Sequence, residues 1–213
     1  MDTIQALLKD IYSFYPVGLN SFMGSYEGSK KFREILTKKI NDEIDGADRP
    51  WLKLTKELKN LFSAYQFFDM AYIQFPSYQL SVNFLDKKDC GIRLERRLIL
   101  NVSLLCSFYT IFFETKIKIK GEDQNFDPNN SFGILSFHSE NNILLKDVEK
   151  VRELTEREFT GYRFIHHKML FDYKIEGCGT YSNWQEYQPG QRNPVYFYLF
   201  DSNLMLDQTI IAE

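Results

Sequence analysis

The stretch "IRLERRLILNV", residues 92–102, decides the fold because apolar side chains recur at every second position along most of it. Successive side chains of a strand point to opposite faces of a sheet, so this period predicts a β-strand with one buried face. The apolar side chains that share that face are Ile92, Leu94, Leu98, Leu100 and Val102. Arg93, Glu95 and Arg97 share the other face, which we expect water to cover.

The segments on either side repeat the alternation. Upstream, "LSVNF" at 80–84 alternates apolar with polar residues, and "DKKDCG" at 86–91 predicts a turn. Downstream, "FYTIFFETKIKIK" at 108–120 places four apolar side chains on one face: Ile111, Phe113, Ile117 and Ile119. Consecutive half-buried strands joined by short turns predict an antiparallel meander with one face in water.

The region before residue 76 has the helical period instead. Apolar residues recur every three or four positions in three segments, each of which predicts a helix with one buried face. We expect the first helix to end at Pro16, the second to take Ser29 as its N-cap, and the third to begin at Pro50. The apolar stripes are Ile4, Leu7, Leu8 and Ile11; Phe32, Ile35, Leu36 and Ile40; and Trp51, Leu54, Leu58, Leu61 and Phe62.

The region after residue 120 mixes both periods. It predicts a polar loop at 121–131, a short strand at 132–138 and an amphipathic helix at 144–159. It then predicts strand character at 162–175 and a last strand at 195–201. The fold class expected is α+β, with N-terminal helices followed by a mostly antiparallel β-sheet and one inserted amphipathic helix. We expect a single domain over 1–213, with a helical subdomain 1–75 and a sheet-rich part 76–213 as the alternative division.

Composition and charge exclude some functions. The net charge of −3 gives no reason to expect nucleic acid as a partner. Residues 76–120 carry eight basic and four acidic side chains, whereas residues 121–213 carry eight basic and fifteen acidic ones. We therefore expect a protein partner with a basic surface, which the acidic C-terminal half would attract. The sequence does not indicate an oligomeric state.

The chain shows no targeting signal in its first fifteen residues and no apolar run long enough to span a bilayer. We therefore expect no association with a membrane. Three scattered cysteines, Cys90, Cys106 and Cys178, are typical of reduced thiols in a cytoplasm. A cytoplasmic location is the expectation that follows.

Candidate catalytic groups are few. Cys178 lies between two glycines, and His166 or His167 is the imidazole that a nucleophilic cysteine would need. If 162–175 is a strand, the two histidines point to opposite faces and cannot share one metal. No ligand spacing for zinc, no phosphate-binding loop and no nucleotide fingerprint is present, so we expect neither a metal nor a cofactor.

The turn-rich segment 177–194 is the candidate binding loop. It sets aromatic rings among amides between two glycines and a Pro-Gly turn, and rings with hydrogen-bonding tips are typical of interface hot spots. The partner-binding residues expected there are Tyr181, Trp184, Gln185, Tyr187 and Arg192. The same rings would also serve to stack on a sugar or to cap the sheet as ordinary core.

These features are typical of small bacterial cytoplasmic α+β proteins, a type that includes the immunity proteins that neutralise toxins. The sequence favours a non-enzymatic protein-binding domain, an immunity or inhibitor-type protein that neutralises a basic toxin or enzyme. The first alternative is a hydrolase that uses Cys178 with His166 or His167. The second is a carbohydrate-binding module that uses Tyr181 and Trp184.

Overall fold

The computed structural model describes residues 3–19, 25–45, 49–73, 75–120, 126–137, 142–180, 190–200 and 209–213. The helices among them are α1 Thr3–Phe14, α2 Glu27–Asp45, α3 Pro50–Leu61, α4 Asn142–Glu158, α5 His167–Asp172 and α6 Val195–Leu199. The strands are β1 Gln66–Asp69, β2 Ser77–Asp89, β3 Ile92–Ser103, β4 Phe108–Lys120, β5 Phe126–Ser136, β6 Arg163–Phe164, β7 Lys174–Glu176, β8 Arg192–Pro194 and β9 Thr209–Ile211.

Seven of these strands form one mostly antiparallel sheet, which confirms the α+β prediction. Its order is β1-β2-β3-β4-β5-β9, and β6 pairs with the start of β4. The pairs from β1 to β5 are antiparallel, whereas β6 and β9 join in parallel. The turn between β2 and β3 consists of Cys90 and Gly91, both with positive φ (44° and 81°), which is the backbone of a tight type I′ hairpin.

Helices cover both faces of the sheet near the start of β2. One face lies under α1, α2, α5 and α6, in a cluster that includes Ile11, Phe32 and Phe112. The opposite face lies under α3 and α4, in a cluster that includes Trp51 and Leu154. The expectation of a meander with one wet face is therefore wrong for this half of the sheet, because a second layer of helices excludes water from that face.

The last predicted strand, 195–201, is wrong: residues 195–199 form the short helix α6. The helix lies buried on the polar side of the sheet, where Asn101 Nδ2 donates to the Tyr196 hydroxyl (3.0 Å). Ser103 Oγ donates to the Leu199 carbonyl oxygen (3.1 Å) and so satisfies a C-terminal carbonyl that lacks a helical partner. Sheet hydroxyls and amides thus hold α6 in place of a strand ladder.

The predicted strand over 162–175 is also largely wrong. Only Arg163–Phe164 and Lys174–Glu176 form strands, and His167–Asp172 forms helix α5. His166 is the N-cap of α5, since its Nδ1 accepts a hydrogen bond from the Lys168 backbone N–H (3.2 Å). This cap satisfies one of the N–H groups that the first turn leaves unpaired, and so it favours a helix here.

The predicted helices are present, and α3 begins at Pro50 as predicted, whereas α2 and α4 begin earlier than expected. α1, α3 and α4 contain the apolar stripes expected of them. Ser29 is not the N-cap of α2, because the helix already begins at Glu27 and the Ser29 hydroxyl is buried within its first turn. Strands β1 and β9 were not expected, and β5 begins at Phe126, inside the predicted polar loop.

The N-terminal helices share their cores with the sheet. Tyr15 at the end of α1 donates its hydroxyl to the Tyr198 carbonyl oxygen (2.9 Å), and the Trp51 ring of α3 stacks on Tyr78 of β2 (5.0 Å). Both hydrophobic clusters combine residues before and after residue 76. Within the parts of the chain that the structure describes, none of the helices has the length and apolar composition needed to cross a bilayer.

Candidate functional site

The far half of the central hairpins projects beyond the helices. We call this half the extension and define it as residues 85–89, 92–96 and 115–120. Side chains are buried at the start of β2 and exposed from residue 85 to its end. β3 and β4 show the matching change in burial toward the same end of the sheet. Among the described residues, neither hydrophobic cluster beneath the helices includes a side chain of the extension.

One face of the extension is charged. Cross-strand register places Asp86, Arg93, Glu95 and Lys118 on it, and Arg93 makes two hydrogen bonds to the Asp86 carboxylate (2.9 and 2.7 Å). Arg93 also pairs with Glu95 (2.8 Å), which in turn pairs with Lys118 (2.8 Å). The hydrogen bonds from Arg93 hold the pKa of the Asp86 carboxyl below its usual range.

The base of the charged face contains a buried carboxylate. The Glu114 side chain is 4% exposed and pairs with Arg97 and with Lys116 (3.3 Å). Burial of a charged group is costly unless the group is paired, and here two cations pair with the Glu114 carboxylate. The ion pairs line a cleft of about 420 Å³, whose rim includes the half-exposed ring of Phe68 from β1.

The extension has a strong local charge imbalance. It carries seven basic and three acidic side chains, although the whole chain has a net charge of −3. Five of the basic and two of the acidic side chains lie on the charged face, which therefore has a net charge of +3. Like charges concentrated on a projecting surface raise the local potential and favour an acidic partner.

The opposite face of the extension is apolar. Its apolar side chains are Ile92, Leu94, Ile117, Ile119 and Phe132, the last supplied by β5 opposite Ile117. Phe132 is 50% exposed and Ile92 45% exposed, whereas aliphatic side chains of the same strands under α3 and α4 are fully buried. The residues that alternate along β3 and β4 thus give the extension one charged and one apolar face, as the sequence predicted.

The two histidines lie side by side rather than on opposite faces. Their rings stack with centroids 4.6 Å apart, since the chain turns into helix α5 at this point. His167 is fully buried, and its Nε2–H donates to the Ala212 carbonyl oxygen (2.9 Å). Burial, together with the neighbouring His166, lowers the pKa of His167 to about 4. A neutral imidazole held by a backbone carbonyl is typical of a structural histidine.

Cys178 is buried as well. Its Sγ donates to the Gly179 carbonyl oxygen (3.2 Å), and burial raises the pKa of the thiol to about 11. Within the described residues, neither histidine forms a hydrogen bond with this sulfur. A thiol in this state is protonated at neutral pH and lacks the thiolate that nucleophilic catalysis requires.

Potential metal ligands are scattered in the described part of the chain. No group of three or more His, Cys, Asp and Glu side chains that could hold a metal ion occurs there. His138, the third imidazole of the sequence, lies outside the described residues. The expectation of no metal and no cofactor therefore stays a prediction.

Most of the predicted binding loop lies outside the described residues, including Tyr181, Trp184, Gln185 and Tyr187. Arg192 is exposed and pairs with Glu176 across the small β7-β8 sheet (3.0 Å). The chain on either side is held together because the Tyr198 hydroxyl donates to the Cys178 carbonyl oxygen (2.6 Å). The structure therefore does not describe where the rings of the loop lie relative to Arg192, and the role of the loop in binding stays a prediction.

The location of the acidic excess of residues 121–213 is not described either. Eight basic and eight acidic side chains of this region are described, and these balance. Of the other seven acidic side chains, which make up the whole excess, six lie outside the described residues, and that of Asp127 is not described although its backbone belongs to β5. Of the two charge imbalances seen in the sequence, only the basic one of residues 76–120 has a described location.

Sequence reasoning identified the faces of β3 and β4 but missed the extension as a surface. A signal for it was present in strand length, because β2, β3 and β4 span 12–13 residues where about 5–6 are usual. Strands of that length reach roughly 40 Å at about 3.3 Å per residue. Among the described residues, the hydrophobic cluster beneath α3 and α4 occupies only part of that length.

No family model matches the chain, and comparison with curated proteins and with solved structures finds no match for it.

Proposed function

We propose that this chain is a non-enzymatic cytoplasmic protein-binding domain of the immunity or inhibitor type, which meets its partner with the charged face of the extension. The observation that carries the proposal is the projection of this face beyond the helices, with a net charge of +3 and a cleft bordered by the exposed ring of Phe68. Protein interfaces combine such charged rims, which steer encounter, with a few aromatic anchors.

The candidate nucleophile supports binding over catalysis. Cys178 has a raised pKa, and His167 has a lowered one, so the pair would be a neutral thiol and a neutral imidazole at pH 7. An activated cysteine needs the reverse, a thiolate stabilised by a protonated histidine. The hydrolase alternative therefore gains nothing from the described geometry.

The sign of the partner's charge separates two versions of the proposal. The charged face of the extension complements an acidic partner, whereas the seven acidic side chains of residues 121–213 that the structure does not describe complement a basic toxin or enzyme. Replacing lysines of the extension by glutamates should slow association with an acidic partner and speed association with a basic one, because charge steers the encounter. A reversal experiment therefore distinguishes them.

The test is affinity capture from the native host with the double variant Lys88→Glu/Lys116→Glu, which reverses two cations of the charged face. The matched control is Lys31→Glu/Lys56→Glu, which makes the same charge change at exposed positions of α2 and α3. We expect the extension variant to lose the partner that the wild type and the control retain. Tighter capture by the extension variant would indicate a basic partner, and equal capture by all three proteins would overturn the proposal.

The loop 177–194 has its own test. If its rings form an interface, replacement of Tyr181, Trp184 and Tyr187 by alanine should leave the melting temperature nearly unchanged and abolish capture, since buried anchors contribute about 2 kcal/mol or more. If they cap the core, the same variant should lose several kcal/mol of stability. A variant that unfolds at room temperature would remove the loop, and the sugar-binding alternative with it, from consideration.

A further inference from the structure

The apolar face of the extension has the composition of a core but lacks a cover. Among the described residues, the cluster beneath α3 and α4 includes Leu98 and Phe113 but none of the apolar side chains of the extension, and the aliphatic row continues across β5 to Ile210 of β9. Isolated apolar side chains are common on surfaces, but a continuous row over four strands is not. Such a row needs a physical explanation.

The exposed apolar area of this face is about half of what one partner contributes to a standard interface. Ile92, Ile119, Phe132 and Ile210 are 45%, 38%, 50% and 65% exposed. With roughly 200 Å² on each large side chain, these fractions leave about 400 Å² of apolar surface in water. The partly exposed Leu94, Ile117 and Ile134 and the surrounding polar atoms extend this toward the roughly 800 Å² that each partner contributes to a standard interface.

The charges of this face fit a second copy of the same surface. It carries Lys87, Arg96 and Asp89, a net charge of +1, and the Arg96 guanidinium is occupied over the Phe113 ring (5.3 Å). Lys87 and Asp89 lie two residues apart on the same side of β2, so a two-fold axis can bring Lys87 of one copy to Asp89 of the other. The strongly basic face points away from such a contact and stays in water.

We propose that two copies of this chain pack the apolar faces of their extensions together as a two-fold sheet sandwich. Sheets pack face to face about 10 Å apart with apolar side chains interdigitated, and the twist of each sheet sets an angle of about 30° between them. The contact is isologous and therefore closes as a dimer. It leaves the charged faces on the outside, where each one is free to meet the partner of the proposed function.

The test is sedimentation velocity on the purified chain alone across a range of concentrations. We expect a reversible dimer for the wild type and a dissociation constant about 100-fold higher for Ile119→Gln/Phe132→Gln, because the variant removes much of the apolar area. The matched control, Lys88→Gln/Lys118→Gln, changes two side chains on the charged face and should leave the dimer intact. If the double apolar variant fails to fold, Ile119→Gln alone is measured.

Two outcomes would overturn the dimer. A wild type that stays monomeric up to about 100 µM would do so, as would a dimer that the apolar variant and the control weaken equally. A monomeric wild type whose apolar variant also melts at lower temperature would show that the chain covers this face itself. Host capture is measured separately, so failure of the dimer and failure of the proposed function give different results.

Discussion

Lys39 gives the sharpest test of how the sheet is anchored. It lies in α2, is 3% exposed, and donates hydrogen bonds from Nζ to the carbonyl oxygens of Ile73 (2.8 Å), Phe75 (3.3 Å) and Ser77 (2.7 Å). The ammonium also lies 5.5 Å from the centre of the Tyr78 ring. One buried cation thus ties the segment that leads into β2 to the helix above it.

Replacement of Lys39 by methionine keeps the apolar stem and removes the three donors. Taking roughly 1 kcal/mol for each of the three hydrogen bonds lost, we expect the free energy of unfolding to fall by about 3 kcal/mol. For a chain of this size the melting temperature should drop by roughly 6–12 °C. Urea denaturation and calorimetry measure both quantities, with Lys38→Met, an exposed neighbour in the same helix, as the control.

The reasoning fails if Lys39→Met is as stable as Lys38→Met. Buried charges are costly to remove from water, and apolar replacements of buried ionic groups are sometimes neutral or stabilising. A neutral result would mean that this cost equals the energy of the three hydrogen bonds. Loss of stability together with an unchanged dependence on urea concentration would place the effect in the folded state rather than in the unfolded chain.

Three further predictions follow from burial. The pKa of His167 is about 4 in the folded chain and about 6.5 in the unfolded chain, so the unfolded chain binds the proton more readily and stability should fall by about 2–3 kcal/mol from pH 7 to pH 4.5. Urea denaturation of the wild type and of His167→Leu measures this, and an equal pH dependence of the two proteins would contradict it. A disulfide reagent should modify one thiol per folded chain and three per unfolded chain, because Cys90 is exposed whereas burial raises the pKa of the Cys106 and Cys178 thiols to about 12 and 11. Rapid modification of three thiols without urea would contradict this prediction. A fragment of residues 77–213 should not fold, because it lacks the helices that complete both clusters, and a cooperative melting transition for that fragment would show two independent domains.

The alternation in β3 and β4 was informative because the faces of a strand are fixed by backbone geometry alone. Ile92, Leu98 and Phe113 lie on the side that the sequence predicts, whatever covers them. What covers each face depends on elements far away in the chain, and no local period encodes that. The extension was missed for this reason, although the side chains of β3 and β4 that the sequence analysis assigned to a face lie on that face.

Short apolar runs were the weak point. "VYFYLF", residues 195–200, has the composition of a buried strand, but a fully buried helix of two turns has the same composition. In this fold the segment is a helix, because Asn101 and Ser103 of the sheet donate hydrogen bonds to the Tyr196 hydroxyl and to the Leu199 carbonyl oxygen. The sequence "IHHKMLFD" likewise carried a helix start that became visible only through the His166 cap.

Polar residues in the strands explain why the location of water could not be predicted. Gln79, Asn101 and Thr110 alternate with apolar neighbours, and the usual interpretation is that such positions face solvent. In this fold they are at most 5% exposed, and Asn101 meets the Tyr196 hydroxyl of α6 instead of water. Farther along the same face, Arg93 and Lys118 occupy equivalent positions and are solvated. One face of one sheet is therefore polar for two different reasons. Beneath the helices its amides and hydroxyls hold α6, and beyond them its charges are available to a partner.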